Sequence, residues 1–566
     1  MTLYLLLAVV MLLVIALAET LGERTGIVAP IILLVASAAV SLFTPLPDIE
    51  IEPDLILEVI LPPLLFATAM RMPAHDFRRN FAPISVLAVV LVVVTAFAVG
   101  LTIHAVLPEV PLAYAVAVGA VMSPSDAVAT GIVKQAGVSS RVIAILDGEG
   151  LINDASALVM LRSALLAATV GASTEQVVGD FAWAVAGAIL CGMLVGHLMM
   201  WLRKHVHGVT ANTVISLAIP FAAFLPAEHL GASGLVATVV AGLVVAHHSV
   251  EKLGPAQRMN ERQTWATVGL ILESAVSLLM GLQVPRLLED AAEAGYTLAS
   301  ALGIGALAIV VIMVVRAFVV TPLLRWLRWR ARRNPDYIER LDEFDKALEE
   351  MTTPSEHTLA RARRRSERAR ADVRYSEESQ LSWREGVVNI WSGMRGAVTL
   401  AAAQTIPEGT PARSFLILLA FVVAAASLIL QGGTLGWLVT TVKPAPDVPS
   451  SREERLELRR ALYDAACSVP VPPVLGQALC DGGDVSEKRI HQMPLTDLIR
   501  LVRKAITSGH LGDELHKEIN AYVLERIRAK RELLLVERDA GRVRASDFDY
   551  HLSQLDAQQM VIELQG

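Results

Sequence analysis

The chain has 566 residues, 54% of them apolar and 19% charged, with a mean hydropathy of +0.51 and a formal charge of −7. Soluble domains reach about 45–50% apolar only when glycine is counted, and here the 37 glycines lie outside the 54%, so the composition points to a bilayer as solvent. The charge balance gives no reason to invoke nucleic acid, and Cys191, Cys467 and Cys480 are too few and too scattered for a disulfide framework, a metal cluster or redox chemistry.

A crossing of the hydrocarbon core needs about 20 apolar residues. Such windows predict an all-α polytopic membrane protein of about thirteen transmembrane helices, near 2–19, 25–43, 54–70, 83–107, 111–133, 142–170, 178–202, 211–227, 230–248, 264–285, 296–324, 386–406 and 412–442. The first run is read as an uncleaved helix rather than a signal peptide, because its first basic residue is Arg24 and no basic segment precedes it. Basic residues stay on the cytoplasmic side. Arg24, Arg71, Arg78, Arg79, Lys134, Arg141, Arg203, Lys204, Lys252, Arg258 and Arg262 fall on alternate loops, against Arg286 alone on the intervening ones. That pattern places the N-terminus outside and the C-terminus inside. The stretch 325–385, with 15 basic and 13 acidic residues, reads as a solvated cytoplasmic insert in a transmembrane domain of residues 1–442. Residues 443–566 read as a cytosolic helical domain behind a Pro-rich linker (KPAPDVPSS), with DLIRLVRKAI and ELHKEINAYVLERIRAKRELLL as amphipathic helices.

Ionisable residues inside spans are the informative ones, since a charge at the bilayer centre costs roughly 2.5–3.5 kcal/mol even on the lenient insertion scale. With about 1.5 Å of rise per residue, Asp154 lies roughly 18 Å into the sixth span, Asp126 about 12 Å from the inner edge of the fifth, and Arg395 roughly 14 Å into the twelfth. Glu149 is one to two turns shallower than Asp154. Convergence at one depth predicts one site. Arg162 and Arg316 fall near span ends and are expected to snorkel to the interface. Glu273, near mid-depth of the tenth span, is either a structural partner or part of an ion path. His247 and His248, at an inner helix end, read as surface histidines.

Pro124 in MSPSDAVAT removes a backbone donor in mid-span, and Gly393 and Gly396 in SGMRGAVT weaken the helix around Arg395. Interrupted helices at membrane depth are tolerated only where protein or water satisfies the backbone. One in each half of the chain is the pointer to a transporter of inverted repeats with its site between them.

At these residues a family resemblance becomes specific. SPSDAVAT (123–130), DGEGLINDASALV (147–159) and WSGMRGAVTLAAA (391–403) resemble the core motifs of the monovalent cation:proton antiporters, the sodium/proton exchanger family, in its bacterial type. LPPLLF (61–66) and FLPAEHLGASGLVATVVAGL (224–243) are similar to flanking segments, so the likeness runs over residues 1 to about 442. The resemblance implies that Asn153 and Asp154 mark the ion site, that Ser125 and Asp126 line it, that Arg395 pairs with Glu149, and that the protein is a homodimer. It also associates a single essential aspartate with electroneutral exchange. Two departures stand out. Family members often have serine where Gly150 stands, and often carry an acid just after the third-span Phe, where Ala67 and Thr68 follow Phe66.

The chemistry follows from these residue types. Sodium or lithium is a hard cation that takes oxygen ligands, and Asp154, Asp126, Ser125, Thr130 and freed carbonyls supply oxygen. Burial favours the protonated carboxyl and a bound cation the ionised one, so one carboxylate carries either a proton or a metal ion, each in turn. The implied partners are Na+, Li+ or K+ with H+, and the lipid bilayer; no cofactor is implied. The implied place is a plasma membrane, bacterial inner membrane by its low cysteine count and polytopic form, and the implied role is pH and sodium homeostasis. A potassium/proton antiporter of the same fold is the runner-up. An intramembrane aspartyl protease, which also sets two aspartates on neighbouring spans, fits poorly, because Asp126 follows Ser125 and Asp154 follows Asn153 in place of the Tyr-Asp and Gly-x-Gly-Asp motifs such enzymes share.

Overall fold

Why the apolar runs become helices is a matter of solvent: without water, each backbone polar group needs a partner within its own segment. A computed structural model describes residues 2–43, 54–126, 128–170, 174–206, 208–350, 356–446, 451–472 and 513–563. In chain order the helices are α1 (Thr2–Thr25), α2 (Ala29–Phe43), α3 (Leu61–Arg71), α4 (Ala74–Arg79), α5 (Phe81–Ser85), α6 (Leu91–Val106), α7 (Leu112–Val121), α8 (Val128–Gln135), α9 (Ser140–Val170), α10 (Thr174–Lys204), α11 (Val209–His229), α12 (Gly234–Lys252), α13 (Pro255–Leu282), α14 (Val284–Glu293) and α15 (Leu298–Ala331). They continue as α16 (Asn334–Glu350), α17 (Glu356–Glu378), α18 (Trp383–Trp391), α19 (Ala397–Gln404), α20 (Arg413–Ser427), α21 (Gly433–Val442), α22 (Arg452–Cys467), α23 (Asp513–Ala540) and α24 (Ala545–Glu563). The predicted helix over DLIRLVRKAI, residues 497–506, lies outside the described residues, as does Cys480.

Among the described residues, eight segments are long and apolar enough to cross a membrane: Phe81–Val106, Ser140–Ala168, Val178–Lys204, Val209–His229, Gly234–Lys252, Pro255–Leu282, Leu298–Ala331 and Arg413–Val442. Each coincides with an expected span. The remaining five expected spans fall on α1, on the 15-residue α2, on a π-turn (Leu55–Ile60) running into α3, and on the interrupted pairs α7/α8 and α18/α19. Breaks account for the last three, while α1 and α2 are unbroken. Pro62 and Pro63 lack the N–H groups that a regular α-helix through 55–71 would use, and the π-turn accommodates the loss.

The chain divides into two units. The first, Met1–Leu253 with Gln257–Arg332 and Ser379–Asp447, holds the apolar helices. Its outward side chains include Leu190, Leu194, Leu198 and Trp201 on α10 and Val310, Val314 and Phe318 on α15, all exposed, an apolar belt suited to lipid. Inside it, packing is close. At Gly119 of α7 an added Cβ would stand 2.2 Å from the backbone oxygen of Ala96, so α6 and α7 touch through their backbones, the small-residue packing usual in membranes. A buried polar cluster ties α10, α11 and α13: Arg203 Nη1 lies 2.7 Å from Glu261 Oε1, Arg203 Nε donates to Asn212 Oδ1 at 2.7 Å, and Ser216 Oγ donates to Glu261 at 2.9 Å. Trp265 donates to Ser216 at 2.9 Å and sets its ring 4.6 Å from that of Phe66. Farther along, Arg162 of α9, expected to snorkel, is exposed and reaches Glu228 of α11 at 2.8 Å, while the other oxygen of Glu228 accepts from Gly234 N at the start of α12.

The second unit gathers Gly254–Ala256, Arg333–Glu378 and Val448–Gly566. The insert folds as a hairpin of α16 and α17, fastened by Arg370 to Asp342 and Asp345 at 2.6 and 2.7 Å and by Ser366 to Asp345 at 2.8 Å. The tail helices pack through Leu462, Ile519, Tyr522, Val523, Ile527, Phe548 and Leu552. Arg542 joins insert to tail, binding Glu367 at 3.0 Å and Glu537 at 2.6 Å. Insert and tail therefore share one helical unit.

The α6–α7 approach makes a simple stability test. Gly119→Ala is expected to lower stability by about 1–3 kcal/mol through overpacking, read as a lowered thermal midpoint in detergent. Gly179→Ala, where an added Cβ meets nothing within 4 Å, serves as the control and should leave the midpoint unchanged or slightly raised.

Candidate functional site

Two interruptions build the site. Helix α7 stops as the chain approaches Pro124, which has no N–H to donate and disfavours helical geometry at the residue before it; α8 resumes at Val128. Helix α18 stops at Trp391, and the Gly393–Gly396 stretch stays non-helical until α19 starts at Ala397. The two open segments satisfy one another: Asp126 N donates to Met394 O at 2.8 Å. Around them, Arg395 N donates to Ser427 Oγ of α20 at 2.9 Å, and Asp126 Oδ1 accepts from Val128 N at 3.2 Å, capping α8. Asp126 also lies against the start of α19. An added Cβ on Gly396 would stand 2.3 Å from Asp126 Oδ2, so only glycine leaves room for the carboxylate there.

Helix α9 passes this crossing with Glu149, Asn153 and Asp154. Glu149 is fully buried and held by Arg316 of α15, whose Nη1 and Nη2 donate to its two carboxylate oxygens at 2.5 and 2.8 Å. Arg316 Nε donates to Asn389 O at 2.9 Å, satisfying a carbonyl freed by the end of α18. Ser125 Oγ donates to Glu149 Oε1 at 3.2 Å, and Asn153 Nδ2 donates to Ser125 Oγ at 2.6 Å.

This arrangement corrects the expected pair of Glu149 and Arg395. The partner is Arg316, which does not snorkel: α15 runs to Ala331, so Arg316 lies eighteen residues from one end and fifteen from the other, at mid-helix. Measuring depth only as far as residue 324 moved it toward an edge. Arg395 is buried beside the pair, and its Nε and Nη1 meet no hydrogen-bond acceptor.

A cavity of about 70 Å³ opens against the crossing. Its polar lining is Thr68, Ser125, Asp126, Asp147, Asp154, Glu273 and Ser277, set among leucines of α3 and α9. Asp154, Asp126 and Ser125 of the expected site thus face one space, and Glu273 of α13 faces it too. Asn153 and Thr130 do not line it: Asn153 turns toward Ser125, and the Thr130 hydroxyl donates to Asp147. Among the described residues no cationic side chain forms an ion pair with Asp154. Gly150 lines the same wall, and Ala67 is buried away from the space while Thr68 borders it. His248 sets its ring edge-on at 5.1 Å from that of His197 and 4.9 Å from that of His247, outside the cavity lining. Two site residues escaped the sequence: Arg316, for the reason above, and Asp147, whose signal was its place in the motif seven residues before Asp154.

The model of the sodium/hydrogen exchanger transmembrane family matches residues 8–441. The chain belongs to that family. An uncharacterized Na(+)/H(+) exchanger of Escherichia coli strain K12 is 31% identical over 427 residues, 72% of this chain and 71% of that one. A sodium, potassium, lithium and rubidium/H(+) antiporter of Bacillus subtilis is 34% identical over 248 residues, 42% of this chain and 37% of its own length. The solved sodium proton antiporter MjNhaP1 of Methanocaldococcus jannaschii, at pH 8, shares the fold with a TM-score of 0.56 at 16% identity, covering 77% of this chain and 99% of that one. The sodium/hydrogen exchanger is a transporter, so the aspartyl protease alternative falls away. In this exchanger the carboxylates divide into one locked by a guanidinium and four facing a cavity.

That division gives a measurable coupling. Glu149→Gln or Arg316→Met leaves a buried charge unpaired, with an expected loss of about 3–5 kcal/mol, and the double variant should recover part of it. Chemical unfolding of the four proteins forms a double-mutant cycle; additive losses would contradict the pair. Pairing Glu149→Gln with Arg395→Met in the same assay should show the weaker coupling.

Proposed function

We propose that this exchanger moves cytoplasmic Na+ or Li+ out against external H+ by alternating access, with Asp154 as the group that carries either ion. The observation that supports this is the cavity: Asp154 faces it beside Asp126 and Glu273, while Glu149 is held by Arg316. Negative charge gathered in a confined, poorly hydrated space is relieved by a proton or by a hard cation, and the two compete for the same oxygens. Asp126 and Ser125 supply further oxygen, Asn153 orients Ser125, and Thr130 acts one step removed through Asp147. Glu273, on α13, brings to the cavity an acid that Ala67 and Thr68 after Phe66 do not supply.

In this reading the chain makes about thirteen crossings in inverted repeats, with the N-terminus outside, the C-terminus cytoplasmic, and the protein a homodimer of a bacterial inner membrane serving pH and sodium homeostasis. The loop-charge pattern supports the orientation. Transport of K+ in place of Na+ is the second reading, favoured by the likeness to the sodium, potassium, lithium and rubidium/H(+) antiporter of Bacillus subtilis.

Asp154→Asn keeps size and hydrogen bonding but carries no charge, and is expected to abolish exchange while the protein still folds and inserts. Cation-driven dequenching of a pH dye in everted vesicles, with Na+, Li+ and K+ added separately, measures both the loss and the selectivity; wild-type rates in the variant would sink the assignment.

Stoichiometry is a separate expectation. One carboxylate carrying one proton or one monovalent cation moves no net charge. An imposed potential of 100 mV adds about 2.3 kcal/mol per net charge moved, so in proteoliposomes with clamped gradients the transport equilibrium should be indifferent to it. A shift with voltage would mean that a second group, Glu273 first, carries a proton.

A further inference from the structure

Asp147 enters the exchange cycle outlined above only as the partner of Thr130, yet it faces the same cavity as Asp154 from the same helix. On α9 the lining residues are Leu146, Asp147, Gly150, Leu151 and Asp154, so Asp147 and Asp154 share a face two turns apart, about 10 Å along the axis. The part of α9 beyond Asp154 contributes nothing to the lining. The cavity therefore extends from the crossing toward the Ser140 end of α9, the face on which α15 ends and α18 begins. Between the two carboxylates stand Leu151 and Gly150, where an added Cβ would meet only Ser125 O at 3.6 Å, so at Gly150 the wall carries no side chain.

The charges near Asp147 are what give it a task. Arg71, in the last turn of α3, and Lys134, in the last turn of α8, both act electrostatically on Asp147. Two cations at the approach to a cation site repel the substrate. Among the described residues neither forms an ion pair with Asp147; its hydrogen-bond partner is the buried Thr130 hydroxyl, which orients the carboxylate without neutralising it.

We infer that Asp147, positioned by Thr130, is a way-station carboxylate that offsets Arg71 and Lys134 and passes alkali cations along the Gly150 wall to Asp154. The inference rests on the exchange reading and extends it with a second, shallower cation position. One charge about 10 Å from the site in a partly hydrated cavity changes local cation occupancy by roughly five- to tenfold.

The test compares the two faces of the membrane. In everted vesicles, which present the cytoplasmic face, Asp147→Asn should raise the half-saturating Na+ concentration about five- to tenfold. In right-side-out vesicles it should leave that for external Na+ unchanged, and Asp147→Glu should restore the wild-type value. The effect should shrink when a non-transported salt is added. Lys134→Gln should shift the cytoplasmic value the opposite way, downward, and it carries the test if Asp147→Asn fails to accumulate in the membrane. Unchanged cytoplasmic half-saturation in Asp147→Asn, or in Lys134→Gln, overturns the role of Asp147. Equal shifts on both faces mark a structural effect on the site and overturn it as well. A wild-type protein that exchanges no alkali cation overturns the exchange reading instead, so the two failures are distinguishable.

Discussion

Everything at the site depends on one demand of the bilayer: backbone released from a helix must find a partner inside the protein. The chain meets it by opening two helices at the same place. Asp126 N binds Met394 O, Arg395 N binds Ser427, Asp126 caps α8, and Arg316 takes the Asn389 carbonyl that α18 leaves over. Helix starts carry partial positive charge and helix ends partial negative charge. The acid lies at the starts of α8 and α19 and the guanidinium at the end of α18, each where the dipoles favour it.

Charge is sorted by the same geometry. Glu149, bound at both oxygens by Arg316, is spent on holding α9 to α15. Asp154, one turn and a residue further on, is left for the cavity. Ser125 belongs to both halves of this division, since its hydroxyl joins the Asn153–Glu149 chain while the residue borders the cavity. A buried pair is often no gain over apolar packing, and here it lies next to the group that must stay free to change its charge.

The helices were legible because hydropathy reports solvent directly, and both interruptions were legible because Pro124, Gly393 and Gly396 are the residues that break helices. Asp126 and Asp154 were found by depth. The same arithmetic failed for Arg316: α15 carries its helix past the apolar run into Arg325–Ala331, and a hydropathy window ends where the charges begin rather than where the helix does. Partner choice is illegible for a related reason, since two arginines, one on α15 and one in the break between α18 and α19, lie near one glutamate and only packing says which reaches it. The union of insert and tail was hidden as well, because mixed-charge helices of α16 and α17 show no face that names its partner. Glu273 sat between two readings until α13 was set against the cavity.

Helix α9 is pinned at three heights. Near its start, Arg141 donates to Ser379 O at 2.7 Å and to Asn80 at 3.2 Å; in the middle stands the Glu149–Arg316 pair; near its end Arg162 meets Glu228, with side chains 59% and 25% exposed. These pins are unequal. A water-exposed pair contributes about 0–1 kcal/mol and weakens as salt rises, whereas breaking a buried one costs several times more. The firmest hold on α9 is therefore at mid-helix, at the Glu149–Arg316 pair beside the cavity carboxylates, and the exposed Arg162–Glu228 contact is the weakest of the three.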